Sequence, residues 1–139
     1  MDSASDAEYR LRLAGGFLAE AEEDLRSSRW RSCVDNAQLP VENAAKSVVA
    51  RFGPVPRSHD MSAILSEHLR QGAVPPELRE GVERLQELSR QLGFEEHVRS
   101  DYGDEARGIT PWELFQEPDA QRAIEIARGA VDLGGRLGG

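Results

Sequence analysis

The sequence predicts an all-α protein: an antiparallel four-helix up-and-down bundle with an extra short helix and a long ordered connection before the last helix. Three observations carry this. Apolar residues recur at steps of three and four along most of the chain. Two breaker clusters, Gly53-Pro54-Val55-Pro56 and Gly72-Ala73-Val74-Pro75-Pro76, cut that pattern into helix-sized pieces. No alternating strand pattern of useful length occurs, and no repeat of roughly 20–50 residues.

The first helix is predicted from about Ser5 to Arg26, on the stripe Ala7, Leu11, Ala14, Leu18, Ala21 and Leu25. Ser5 followed by Glu8 matches a capping box. Gly15-Gly16 weakens its middle and offers a place for a neighbouring helix to come close. The second helix is predicted from about Trp30 to Phe52, with Trp30, Val34, Ala37, Val41, Ala45, Val48 and Phe52 inward. Pro40 removes one amide from its interior, and a bend rather than a break is expected there.

A shorter helix follows from Asp60 or Met61 to Arg70, on Ile64, Leu65 and Leu69. The fourth begins near Pro76, a residue suited to a first turn, and runs on Leu78, Val82, Leu85, Leu88 and Leu92 towards a Gly93 cap. Residues 94–117 hold Phe94, Tyr102, Ile109, Trp112, Leu114 and Phe115 among charges and glycines. So many large apolar groups argue against disorder, and a packed connection with one helical turn near Trp112 is expected. The last helix is predicted from about Asp119 to Leu133.

The 139 residues suit one domain over 1–139, with a core from about 7 to 133 and a glycine-rich tail, 134–139, expected to fray. Nothing approaches the roughly 18 apolar residues of a membrane span. The acidic N-terminus lacks the basic and apolar regions of a signal peptide. A single cysteine, Cys33, excludes an intramolecular disulfide and fits a reducing compartment, so a cytoplasmic location is expected. It lies beside the apolar stripe and reads as a packing residue rather than a nucleophile. The net charge of −8 disfavours sequence-independent attraction to nucleic acid while leaving room for a local basic cleft. There is no phosphate-binding glycine loop, paired-cysteine zinc pattern or serine-nucleophile elbow, so no cofactor is expected.

Of the basic residues, only Lys46 is a lysine. It ends a ladder, Gln38, Glu42, Lys46, at i, i+4, i+8 along one helix flank. The plain reading is an ordinary helix-surface pair worth about 0.2–0.5 kcal/mol. The ladder starts at the core edge, so Gln38 and Glu42 should be largely covered and Lys46 more exposed.

His59 precedes Asp60, which can cap the third helix, and reads as a loop histidine bonded to a nearby carbonyl. His68 reads as a surface residue. Asp101, Asp104 and Glu105 flank Tyr102 and Gly103. They could offer hard oxygen ligands to Mg²⁺, but without a fixed ligand spacing a turn is the stronger reading, and no metal is expected. Tyr102 and Trp112 could stack a base, with closure of the core as the plainer alternative.

These features together resemble the HEPN family (higher eukaryotes and prokaryotes nucleotide-binding domain). The resemblance rests on Gln38, Val41-Glu42 and Ala45-Lys46 on the second helix, and on Ala21-Glu22-Glu23-Asp24-Leu25 followed by Trp30. It rests also on His59-Asp60 before the third helix, and on Arg99-Ser100-Asp101-Tyr102-Gly103-Asp104-Glu105 with Pro111 downstream. Pro40 departs from the family's usual alanine-like residue. The resemblance implies a helical bundle that binds RNA or nucleotide, pairs as a homodimer and needs no metal. It implies nucleotide or interface roles for Gln38, Glu42, Lys46, His59, Asp60, Asp101 and Tyr102.

Many members that are ribonucleases carry an arginine, four to six residues, then a histidine. Arg90 and His97 match with six between them, although Gln91 replaces the usual following residue and Gly93 intervenes. In that role Arg90 would stabilise the phosphorane charge and His97 would take the 2′-hydroxyl proton. The implied function is a metal-independent ribonuclease of a toxin–antitoxin type pair. The alternative is a non-catalytic helical module partnering a minimal nucleotidyltransferase.

Overall fold

The computed structural model describes residues 2–138, apart from the side chain of Phe94. Met1 and Gly139, the ends of the expected domain and tail, lie outside the described residues. Every main element is helical: α1 (Ser3–Arg26), α2 (Trp30–Val49), α3 (Met61–Arg70), α4 (Arg79–Gln91), α5 (Phe94–Tyr102), α6 (Pro111–Leu114) and α7 (Glu117–Gly138). Short 3-10 turns occupy Pro76–Leu78 and Glu105–Arg107. Among the described residues the only strand-like pairing is an isolated bridge between Asp104 and Ile109.

The centre of the protein is α2. It packs against α1, α3, α4, α5, α6 and α7. Most of its apolar residues from Cys33 to Val49 are almost wholly covered, among them Val41, Ala44, Ala45 and Val48. Pro40 is fully buried inside it, and the helix continues unbroken past it, as expected. Its regular end is Val49, three residues short of Phe52; the chain then turns through Arg51–Gly53.

Helix α1 meets α2 through alanines. Ala7, Ala14 and Ala21 stand seven residues apart, about two turns, and are all fully buried. Small side chains there let the two axes approach closely. The N-cap is Asp2, which accepts from the Ser5 amide at 2.8 Å, so the start lies earlier than the predicted Ser5 box. Gly15 and Gly16 face open space and admit no neighbour. The close approach falls instead at Gly134 on α7, where an added Cβ would stand 3.2 Å from Leu11 Cδ1 and 3.3 Å from Ala44 Cβ. The tail expected to fray is therefore helical through Gly138, because α7 is held against α1 and α2.

The largest departure from the sequence reading is α5. Gly93 reads as the stop of one helix; it is also the N-cap position of the next. The stop was visible and the restart was not, since α5 is only nine residues long and gains its stability by packing on α2. Trp112 and Tyr102 do not close the core: both are exposed. Pro111 and Phe115, flanking Trp112, take that role. His68 is half-covered rather than superficial, with its ring centroid 6.2 Å from that of Phe52.

Candidate functional site

One flank of α2 organises the polar interior. Arg31, Asp35, Gln38, Glu42 and Lys46 follow at steps of four, three, four and four. At about 100° per residue they share a sector of roughly 80°. The ladder visible in the sequence is thus two rungs longer at its N-terminal end. Different segments meet its two halves.

At the C-terminal half Glu42 is the hub. Its carboxylate, only 7% exposed, accepts from Lys46 Nζ at 3.1 Å and from Gln38 Nε2 at 3.4 Å. His59 Nδ1 reaches its other flank, 2.9 Å from Oε1. Lys46 is more open than Gln38 and Glu42, as expected, but is itself largely covered. The histidine thus meets a buried carboxylate on α2. Asp60 caps α3, accepting from the Ala63 amide at 3.2 Å.

At the N-terminal half α5 lies across α2. His97 Nδ1 stands 2.6 Å from Asp35 Oδ1. The fully buried Ser100 places its Oγ 2.9 Å from the same oxygen and 2.7 Å from the His97 carbonyl. His97 Nε2 is 3.8 Å from Asp101 Oδ2, one turn along α5. Arg31 Nη1 donates to the Ser100 carbonyl at 2.8 Å and lies 3.5 Å from Asp101 Oδ1. Asp35, His97 and Asp101 each offer one ligand atom, all within 4.8 Å of one another, so a cation could be held there. The Asp35 contact serves equally to orient the imidazole through Nδ1.

Sequence reasoning named His97 and Asp101 here but gave no role to Asp35, Arg31 or Ser100, the last quoted only within the run from Arg99 to Glu105. The first two could have been found by extending the ladder. Ser100 could not, because its role depends on where α5 docks.

Arg90 belongs to a different helix and a different pairing. It sits at the end of α4, exposed, and pairs with Glu87 on the same helix. Hydrogen bonds from Arg90 and then Gln91 hold the Glu87 carboxyl down at about 2, and the same pairing raises the Arg90 guanidinium. Arg90 borders a surface cavity with Asp60, Ser62, Ser66 and Glu95, whereas His97 faces Asp35 on α2.

Asp104 and Glu105 lie in a turn, as expected, whereas Asp101 belongs to the last turn of α5. Asp104 accepts from the Arg107 amide at 3.2 Å. Gly103 has φ +70° and no room for a Cβ, which would fall 2.2 Å from the Ile109 carbonyl. Tyr102 lies at the end of α5 with its ring outward. Cys33 is fully buried and its thiol is pushed up to about 11 by desolvation, which suits packing and not nucleophilic chemistry. Among the described residues no helix is long and apolar enough to cross a membrane.

The family model for the HEPN domain matches residues 7–137 of this chain. No curated protein matches it. Among solved structures, the crystal structure of TT1696 from Thermus thermophilus is similar, with a TM-score of 0.68 at 19% identity. That likeness covers 94% of this chain and 97% of the other, and at this identity it speaks for the fold alone.

Proposed function

This chain belongs to the HEPN family, and from that premise we propose that it binds RNA or nucleotide and cleaves RNA without a metal, with His97 as the general base. The observation that supports this reading is the 2.6 Å contact between His97 Nδ1 and Asp35. An imidazole held this way presents Nε2 as its basic nitrogen. His97 takes the proton of a ribose 2′-hydroxyl; the 2′-oxygen bonds to the adjacent phosphorus; the bond to the 5′-oxygen breaks, and that oxygen takes a proton from solvent. Asp35 orients the ring and offsets the charge of the imidazolium as it forms. Arg90 is the family-type arginine for the phosphorane charge. To serve, its guanidinium must exchange Glu87 for phosphate and reach that phosphate from the separate cavity it borders.

The protein is read as a homodimer, since family members pair two subunits around one cleft. Gln38, Glu42, Lys46, His59 and Asp60 then brace α2 against the chain entering α3. A toxin–antitoxin type setting and a cytoplasmic location complete this reading.

The test is cleavage of a structured RNA in EDTA by the wild type and by His97→Ala, Asp35→Asn and Arg90→Ala. Loss in His97→Ala, with a drop of about 10²–10⁴-fold, is expected for a removed general base. Equal cleavage by wild type and His97→Ala would remove the assignment. A sedimentation mass of one 15.4 kDa chain at micromolar concentration would remove the dimer.

The second reading, a non-catalytic module partnering a minimal nucleotidyltransferase, is favoured by one observation. Arg90 and His97 stand on separate helices, each paired with its own carboxylate. Its test is co-purification with a nucleotidyltransferase encoded beside this gene. An isolated gene with no such neighbour counts against it.

A further inference from the structure

We propose that Trp112 and Arg31 form a subsite for single-stranded RNA beside His97, Trp112 stacking a base and Arg31 holding the adjoining phosphate. The proposal deepens the RNA-binding reading above and rests on it.

The first observation is an unusual exposure. Trp112 is 71% exposed, the most exposed large apolar residue among those described. Tyr102 and Val98, also exposed, lie nearby in sequence on α5, the helix that carries His97. An indole left in water forgoes the ~1.5–3 kcal/mol that burying a large apolar side chain brings. Nor is it exposed through looseness. Thr110 and Glu113 form a reciprocal capping box around α6, and Pro111 and Phe115 anchor it in the core. The indole is held outward on a fixed mount.

The second observation is what faces it. The Arg31 guanidinium carbon lies 5.8 Å from the Trp112 ring centroid, a cation–π arrangement. Both line a surface cavity of about 420 Å³, together with Ser28, Arg29, Trp30, Ser32 and Phe115. That volume is within the range of ligand pockets, roughly 300–1,000 Å³. Among the described residues, Arg31 reaches Ser100 and Asp101 through Nη1. Nε and Nη2 therefore keep donors for a phosphate, in the planar fork that suits one. Arg29 and Ser32 are engaged by Asp24, so Arg31 is the cation this aromatic cleft offers beside the open indole.

The third observation is position. Arg31 touches Asp101, and Asp101 lies one turn from His97 and 3.8 Å from its Nε2. A phosphate on Arg31 would therefore lie on the side of α5 that carries Asp101 and His97. Stacking tolerates any base, because each has a π face, so the subsite should accept RNA with weak sequence preference.

The experiment measures anisotropy of a labelled single-stranded oligoadenylate with the full chain, all in a His97→Ala background so that no cleavage interferes. Trp112→Ala should bind about tenfold or more weakly, as loss of one stacked base predicts. Trp112→Phe should recover much of that. Arg31→Gln should weaken binding and lower the salt slope by about 0.7, the value for one single-strand phosphate contact. Tyr9→Ala, at an exposed position of α1, is the surface control. Equal affinity in Trp112→Ala and Arg31→Gln overturns the proposal, and so does an oligonucleotide that never binds. A Trp112→Ala protein that loses self-association and keeps its RNA affinity also overturns it, making the face a contact between copies. The two readings fail separately. Cleavage by a His97-intact protein that ignores Trp112 removes the subsite alone; binding that needs Trp112 without any cleavage removes the nuclease alone.

Discussion

His59 Nδ1 lies 2.9 Å from Glu42 Oε1, tying the proline-rich segment after α2 back to the middle of that helix. The contact is unequal: the Glu42 side chain is 7% exposed and that of His59 65%. Glu42→Ala leaves Lys46, itself only 13% exposed, without its carboxylate. Removing one partner of a buried pair costs about 3–5 kcal/mol, and the partial exposure of Lys46 places this case at the low end. His59→Ala removes a mostly solvated partner and should cost about 1 kcal/mol or less. Urea unfolding of the two variants checks the order. A His59→Ala loss as large as that of Glu42→Ala would contradict it.

Asp24 gives an acid-side prediction. Burial alone raises its pKa, but hydrogen bonds from Asn36, Arg29 and Ser32 outweigh burial and hold it below the usual 3.8. A carboxyl lowered in the folded state contributes stability above its unfolded pKa and loses it as pH falls through the folded one. Wild-type stability should therefore drop as pH falls below about 3.8. Asp24→Asn should be less stable near neutrality by about 1–3 kcal/mol and show a shallower acid decline. Thermal melts at pH 7 and pH 3 measure both.

Cys33 should be silent towards thiol reagents in the native protein. It is fully buried, and its pKa of about 11 leaves little thiolate at pH 8. Reaction with a chromogenic disulfide should follow global unfolding, and added denaturant should speed it steeply. Fast labelling of the native chain at pH 8 would show that the seam between α2 and α7 opens locally.

Gly134 and Gly135 should respond oppositely. Gly134→Val forces side-chain carbon into Leu11 and Ala44 and should cost about 1–3 kcal/mol through overpacking. Gly135 has only Leu11 Cδ2 near, at 4.0 Å, and is exposed. Gly135→Ala should stabilise the end of α7 by about 0.4–1 kcal/mol, the gain from restricting the unfolded chain. Shifts in melting temperature of opposite sign would verify that α7 is packed at Gly134 and free at Gly135.

Much of this protein was legible in its sequence because helices are local. The i, i+4 bond and the 3.6-residue period fix where a helix can run and which face is apolar. The seven-residue alanines of α1, the breaks at Gly53 and Gly72, the Asp60 cap and the Gln38–Glu42–Lys46 ladder are all of that kind. The ladder and its context also pointed to the HEPN family. Periodicity does not say which neighbour covers a face, nor how a short helix survives. The tertiary structure decided that α5 forms after Gly93, because α2 supplies the surface it docks on. That docking brings His97 to Asp35 across 62 residues of chain, Arg31 to Ser100 across 69, and leaves Trp112 outward beside them.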